Sequence, residues 1–254
     1  MGGMLDGRTI IVTGGGGGIG SCTARLLAKA GAKIVVSDIT DSGRAVAAEI
    51  TSFGGEAHFI AGDLAIEADV KALVDGAVAR FGKLDGAFNN AGIEQHALPI
   101  FELSKEQWDK VIRINLTGMF LCLKYQILAM KETGGGAIVN TSSGLGQVAL
   151  PGAAEYIASK HGVIGLTRAA AIDCRALGIR VNSILPGVVN TPMISRLVDD
   201  PALVPMFDAL RARHPLNRFA EPSEIGETVK WLLSDAASFV TGAAIAVDGG
   251  YLAT

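Results

Sequence analysis

The chain has 254 residues, 49% hydrophobic and 19% charged, and its 22 basic and 25 acidic residues leave a formal net charge of -3. Length and apolar content on this scale suit one large buried core and exclude disorder or a disulfide scaffold, and the near balance of charge gives no electrostatic case for nucleic acid. No uninterrupted apolar run reaches the ~18 residues of a membrane span, the opening Met1-Gly2-Gly3-Met4-Leu5-Asp6 lacks the regions of a signal peptide, and three widely spaced cysteines (Cys22, Cys122, Cys174) are expected as reduced core residues of a cytoplasmic protein.

The first predicted element is a buried strand over Arg8–Thr13, followed by six glycines within Gly14–Gly20. A helix over Ser21–Ala30, closed by Gly31, leads to a second strand at Lys33–Asp38. Strand, glycine turn, helix and strand make a βαβ unit. The alternation continues: a helix around 41–53, a strand at 56–61, a helix at 66–81 and a strand at Leu84–Phe88. A long helix over 104–131 precedes a strand at Gly136–Thr141, and a helix over 153–176 precedes a strand at Gly178–Ile184. A helix at 222–234 and a strand at Ala243–Val247 close the series. Seven strands separated by helices predict an α/β, doubly wound Rossmann fold: one domain over 1–254, with a seven-stranded parallel sheet and helices on both faces. The one long connection, 187–220, is apolar at Met193, Ile194, Leu197 and Phe207 among others. It is expected to hold short helices that cover a site as a lid.

The glycine turn fits two spacings. Gly15, Gly17 and Gly20 satisfy G-x-G-x-x-G, while Gly14, Gly18 and Gly20 satisfy T-G-x-x-x-G-I-G from Thr13, with Ile19 between the last two. Both let the backbone approach a pyrophosphate without β-carbons and present a helix N-terminus to it. Asp38 ends the next strand 18 residues after Gly20, followed by Ile39. An acid there accepts hydrogen bonds from ribose hydroxyls and repels a 2′-phosphate, and no basic residue intervenes before Arg44, so the predicted cofactor is NAD. Ligands of open α/β sheets lie across the carboxyl ends of the strands. Small and polar residues crowd those ends here: Asp63-Leu64, Asn89-Asn90-Ala91-Gly92, Thr141-Ser142-Ser143, and Pro186-Gly187 with Thr191.

Tyr156 and Lys160 lie four apart in a predicted helix and share a face. An ammonium ~4 Å from a phenol, at an effective dielectric near ~20, contributes roughly 4 kcal/mol, enough to draw the phenol towards neutral pH. A phenol so tuned is suited to general acid–base work. No metal site is expected, because His58, His96, His161 and His214 are scattered without ligand spacing. His161 is expected as a packing or surface residue, and Arg211 and Arg213 with His214 as a solvated helix face rather than an anion site.

The sequence resembles the short-chain dehydrogenase/reductase family in its single-domain form, over essentially its whole length. The residues that carry the resemblance are Thr13–Gly20, Asp63, Asn89–Gly92, Asn115, Ser143, Tyr156-Ile157-Ala158-Ser159-Lys160, and Pro186-Gly187 with Thr191, including 13 residues from Ser143 to Tyr156. The resemblance implies that Tyr156 is the acid/base at the carbinol oxygen and that Lys160 lowers its pKa and holds the nicotinamide ribose. It implies that Ser143 bonds the substrate oxygen and that Asn115 fixes a water that relays the proton to solvent. By the same resemblance Asp63 and Leu64 contact adenine, and Asn90, Ala91 and Gly92 let the backbone pass the adenosine ribose. Pro186, Gly187, Val189 and Thr191 hold the nicotinamide, and Thr141 is a further cofactor contact. Relatives are usually tetramers with two-fold symmetry, pairing the long helices and the last helix–strand unit.

The substrate pocket is expected between Glu94-Gln95-His96, Gly144–Gln147 with Leu145, and the 187–215 segment with Met193. Its apolar lid suggests a hydrophobic or alicyclic substrate, and Glu94 offers a carboxylate to a polyol or diol. The pattern is similar to bacterial dehydrogenases of cyclic alcohols and diols. Two other readings are weighed. A 3-oxoacyl-carrier-protein reductase shares these motifs, but such enzymes generally use NADPH and a basic docking patch, against which Asp38 and the net charge count. A non-catalytic nucleotide-sensing protein would be expected to lack part of the set Asn115, Ser143, Tyr156 and Lys160.

Overall fold

The computed structural model describes residues 3–191, 194 and 204–254. Among them are seven strands: β1 (Thr9–Thr13), β2 (Lys33–Asp38), β3 (Ala57–Ala61), β4 (Gly86–Asn89), β5 (Gly136–Thr141), β6 (Ile179–Pro186) and β7 (Ala244–Val247). All pair in parallel in the order β3-β2-β1-β4-β5-β6-β7. The helices are α1 (Gly18–Lys29), α2 (Ser42–Ser52), α3 (Glu67–Phe81), α4 (Lys105–Ile112), α5 (Gly118–Lys131), α6 (Ala154–Asp173), α7 (Val204–Ala212) and α8 (Pro222–Leu233). The chain runs outward from β1 to β3, then returns to β4 on the other side of β1. That reversal opens a crevice above the carboxyl ends of β1 and β4.

Period-two alternation sorts each central strand between two helix layers. All five residues of β1 are buried. Ile10 and Val12, with Ile34 and Val36 of β2, join Leu27, Ile50, Ile225 and Val229 on α1, α2 and α8. Ile11 and Val35 point the other way, to Leu73, Cys122, Met130 and Val163 on α3, α5 and α6. Polar side chains also knit the second layer to the sheet. Asn89 exchanges hydrogen bonds with Gln126 at 2.9 and 2.7 Å and donates to Asn140, which donates to Thr167. All four are buried and each partner is satisfied, so the network holds the ends of β4 and β5 in register instead of weakening the core.

The helix predicted over 104–131 is corrected by the structure. A π-helical turn, Arg113–Thr117, separates α4 from α5. One extra residue in that turn brings the Asn115 amide inward, where it bonds both backbone groups of Ile93, 22 residues earlier. By length and composition alone Lys105–Lys131 could cross a bilayer, with a mean hydropathy of 1.2 over its best window. Yet 44% of that window is buried within the protein, where Met119, Cys122 and Met130 belong to the core. Helix α1 begins at Gly18, three residues before the predicted start, because the glycine turn itself winds into it. The predicted 187–220 lid is described at α7 and its flanks, and Met193 lies outside the described residues.

Candidate active site

Two adjoining clefts open over the carboxyl ends of the strands. The first, about 570 Å³, runs from Asp38 and Ile39 past Asp63 and Leu64 to Asn90, Ala91 and Gly92, and on to Thr141, Tyr156, Lys160 and Thr191. Gly14, Gly17, Gly18 and Ile19 form its wall at the start of α1. Its chemistry fits a dinucleotide. A β-carbon on Gly14 would lie 2.9 Å from the Ala91 α-carbon, and one on Gly20 2.1 Å from the Gly14 carbonyl oxygen, so neither position tolerates a side chain. The α1 N-terminus carries no side-chain cap and no acid in its first turn, which leaves its N–H groups and positive dipole end to an anion. Asp38 accepts from the Gly16 N–H at 3.0 Å and from the Thr40 N–H and hydroxyl, so its carboxylate is fixed at the cleft edge. Arg44 is committed elsewhere, paired with Asp41 at 3.3 Å and lying 5.0 Å over the Phe59 ring.

The end of β1 is fastened to that of β4. Thr13 Oγ1 accepts from the N–H groups of Asn90 and Ala91 at 3.0 and 3.2 Å, and the Asn90 amide donates back to the Thr13 and Gly14 carbonyls. Asp63 caps the loop after β3 by accepting from the Ala65 N–H at 2.9 Å.

The second cleft, about 310 Å³, adjoins the first at Tyr156, Thr141, Glu94, Ile19 and Thr191. Ser142, Ser143, Leu145, Pro186, Leu210 and His214 are among its other wall residues, with Leu150 and Tyr251. Ser143, Tyr156 and Lys160 thus converge where the clefts meet. Helix α6 is docked there by reciprocal bonds with the end of β5. Ser142 donates to the Lys160 carbonyl at 2.8 Å, and Lys160 Nζ donates to the Thr141 carbonyl at 2.9 Å. Ser142 is thereby committed and buried, while Ser143 stands on the cleft wall accepting from the Leu145 N–H.

At Tyr156 burial, not the Lys160 ammonium, is the largest influence on the phenol. That ammonium sits against the phenol ring, 5.4 Å from the centroid, and burial governs both groups. Burial pushes the Tyr156 phenol up to about 12, against an opposing hydrogen bond with Ser143, and the Glu94 carboxylate adds to the rise. The same loss of water holds Lys160 down at about 8. Burial disfavours either charged form, so the two shifts run in opposite directions. Loss of water also raises Glu94. The Asn115 side chain bonds both backbone groups of Ile93 at 2.8 Å and its amide nitrogen also donates to Ser159 Oγ at 3.4 Å. It closes the base of the loop that carries Glu94.

His214, expected on a solvated helix face, is instead 2% exposed and part of the second cleft wall. Of its basic neighbours, Arg211 pairs with Asp208 and Arg213 lies 4.7 Å over the Tyr251 ring. Leu210 falls in the expected covering segment, whereas Leu150, between Ser143 and Tyr156, and Tyr251, near the end of the chain, line the cleft without having been singled out in the sequence.

Residues 14–252 match the family model described as enoyl-(acyl carrier protein) reductase. The chain is 53% identical over 252 residues to a 2,5-dichloro-2,5-cyclohexadiene-1,4-diol dehydrogenase of Sphingobium indicum, covering 98% of each chain. It is 42% identical to a cyclohexanol dehydrogenase of an Acinetobacter species, over 99% of this chain and 97% of that one. The crystal structure of levodione reductase superposes with a TM-score of 0.94 at 38% identity, covering 98% of this chain and 99% of the other. With a nucleotide-shaped cleft meeting a second cleft at a tyrosine, a serine and a lysine, these matches show that the chain belongs to the short-chain dehydrogenase/reductase family and is an oxidoreductase of CH–OH groups that uses a nicotinamide cofactor.

Proposed function

We propose that this chain interconverts a ring-borne secondary alcohol or diol and its ketone with NAD. The observation that carries this reading is the position of Tyr156, which lies in the wall of both clefts beside Ser143. The second cleft carries Leu145, Leu150, Val188, Val189, Ile194 and Leu210 on its walls, apolar surface that suits an alicyclic ring. Relatives named for cyclohexadienediol and cyclohexanol support a ring as substrate.

Gly14, Gly17, Gly18, Ile19 and Gly20 would hold the pyrophosphate, and Asp38 with Ile39 the adenosine ribose. Asp63 and Leu64 would hold adenine, with Asn90, Ala91 and Gly92 beneath the adenosine ribose. Thr141, Pro186, Gly187, Val189 and Thr191 would hold the nicotinamide. When bound, the nicotinamide supplies the hydride acceptor for oxidation and the donor for reduction. Tyr156 takes the hydroxyl proton of the alcohol, or returns it to the ketone oxygen. Ser143 donates to that oxygen and steadies the charge that develops on it. Lys160 anchors α6 through the Thr141 carbonyl and presents its ammonium to the face of the Tyr156 ring. Asn115 holds the site's floor, and Glu94 offers an acceptor to a second substrate hydroxyl. Preference for NAD is supported by Asp38 fixed at the adenosine end and by Arg44 engaged with Asp41 and Phe59.

Assembly as a homotetramer is supported by apolar side chains left exposed on the predicted pairing elements: Phe120 and Leu128 on α5, Trp231 on α8 and Phe239 before β7. A cytoplasmic location is supported by three free cysteines. The test is a turnover screen of cyclohexanol, cyclohexane-1,4-diols, their ketones and an acetoacetyl thioester, each with NAD(H) and NADP(H). Turnover of a ring alcohol with NAD is the expected result. A thioester reduced faster than any ring ketone, with NADPH preferred, would overturn it in favour of a carrier-protein reductase.

A further inference from the structure

We infer that His214 is a positioning residue that locks the backbone at the nicotinamide end of the site to the wall of the substrate cleft. This rests on the reading of Pro186–Thr191 as the nicotinamide end and of the second cleft as the substrate pocket. The geometry is specific. Val188 N–H donates to His214 Nε2 at 3.2 Å, and His214 Nδ1 lies 2.9 Å from the carbonyl of Leu210 in the last turn of α7. A carbonyl can only accept and an N–H can only donate, so the two partners dictate the ring's state: neutral, with its proton on Nδ1. One imidazole thereby joins a helix whose Leu210 lines the second cleft to the loop after β6.

The surrounding structure leaves the ring no alternative place. A β-carbon on Gly187 would come within 2.8 Å of His214 Nε2, so glycine is required for this approach. On its other sides the ring packs 5.2 Å from Tyr251 and 6.2 Å from Phe219. The neighbouring amides of the loop are held by main chain: Gly187 N–H by the Val247 carbonyl and Asn190 N–H by the Ala220 carbonyl. The Val188 carbonyl accepts from Ala220 N–H. At Val188 N–H the acceptor is instead a side chain, and one that itself faces the substrate cleft. Movement of α7 against a bound ring is therefore transmitted through His214 to the backbone that would flank the nicotinamide.

Three substitutions separate this role from simple core packing. In His214→Gln the side-chain oxygen reaches the position of Nε2 and still accepts from Val188. In His214→Asn the amide nitrogen replaces Nδ1, keeping Leu210 and releasing Val188. His214→Phe keeps the ring and loses both bonds. The readouts are the thermal midpoint, affinity for ADP-ribose, affinity for the reduced dinucleotide, and kcat with KM on the wild type's best ring alcohol. Expected is unchanged ADP-ribose affinity in all three, with three- to tenfold weaker dinucleotide binding and at least tenfold lower kcat in Asn and Phe. Gln should stay within about threefold of wild type in both. Equal dinucleotide affinity in all four proteins, or losses that follow the thermal midpoint and move ADP-ribose equally, would overturn the inference. The affinities are read with whichever of NADH and NADPH the wild type binds more tightly, using ADP-ribose or its 2′-phosphate to match. A failure of the NAD or ring-alcohol assignment is thus told apart from a failure of this one.

Discussion

One carboxylate oxygen of Glu155 accepts two hydrogen bonds from His96, from its main-chain N–H at 2.8 Å and its ring Nδ1 at 3.0 Å. Glu155 is fully buried and directly precedes Tyr156, so the loop that carries Glu94 is fastened to the helix that carries the phenol. Ala97 completes the restraint in a left-handed conformation, φ 57°, packed against Gly152. Burial alone would raise the Glu155 pKa, yet the His96 bonds and its own helix N–H win and the carboxyl is held below its usual range. Glu155→Ala is expected to destabilise the protein by about 1 kcal/mol, since it leaves two part-buried donors of His96 without their acceptor. It should raise KM for the alcohol several-fold with kcat within threefold of wild type, and Glu155→Gln should fall between. Chemical denaturation and steady-state kinetics check both.

Removal of the phenolic oxygen in Tyr156→Phe deletes the group that exchanges the substrate proton and leaves the nucleotide cleft intact. Turnover is expected to fall by at least about a hundredfold, the scale of a lost general acid–base. Dinucleotide affinity by fluorescence titration should be unchanged. With the wild-type phenol held at about 12, its ionised form grows as pH rises, so alcohol oxidation should climb through the alkaline range. Ketone reduction uses the protonated phenol and should not share that rise.

Lys160 opposes stability in order to be present where it is. Burial lowers it from an ordinary 10.5 to about 8, so between those values the unfolded chain binds the extra proton. Stability therefore increases with pH across that window, and below about 8 the buried ammonium costs about 3 kcal/mol. Its charge-assisted hydrogen bond to the Thr141 carbonyl returns about 1.5–3 kcal/mol. Lys160→Met should thus lie within about 2 kcal/mol of wild type at pH 7 and lose ground against it as pH rises towards 10, while turnover collapses. Urea denaturation at several pH values reads the difference.

Asp38→Ala removes an acceptor and a repelling charge from the adenosine end together. The ratio of NAD to NADP turnover should fall at least tenfold. Because Asp38 also holds the Gly16 N–H at 3.0 Å, some loss with both cofactors is expected as well. An unchanged ratio would show that the acid does not discriminate.

The fold was legible because β1, β2 and β4–β6 are short, almost wholly buried runs separated by helix-length segments, an alternation that builds a parallel sheet covered by helices. Tyr156 and Lys160 were legible because four residues on a helix place them on one face. The π turn at Asn115 was not, since the adjoining Gly118 alone does not mark it and the inward amide answers to a partner 22 residues away. His214 was misread for the same kind of reason. Directly after Arg211 and Arg213 it looks solvated, and only the return of the chain past β6 buries it. The balance between burial and charge at Tyr156 depends on how much water the cleft excludes, a property of the packed structure and not of residue spacing.

Among the described residues, the two clefts have in common only Ile19, Glu94, Thr141, Tyr156 and Thr191. The loop at 94–97, the turn at 144–150 and the segment through α7 can therefore diverge under selection for new rings while the redox apparatus on the strand ends stays intact. A lineage built this way acquires substrates by exchanging three peripheral pieces, and an engineer seeking a new ketone has the same three pieces to graft.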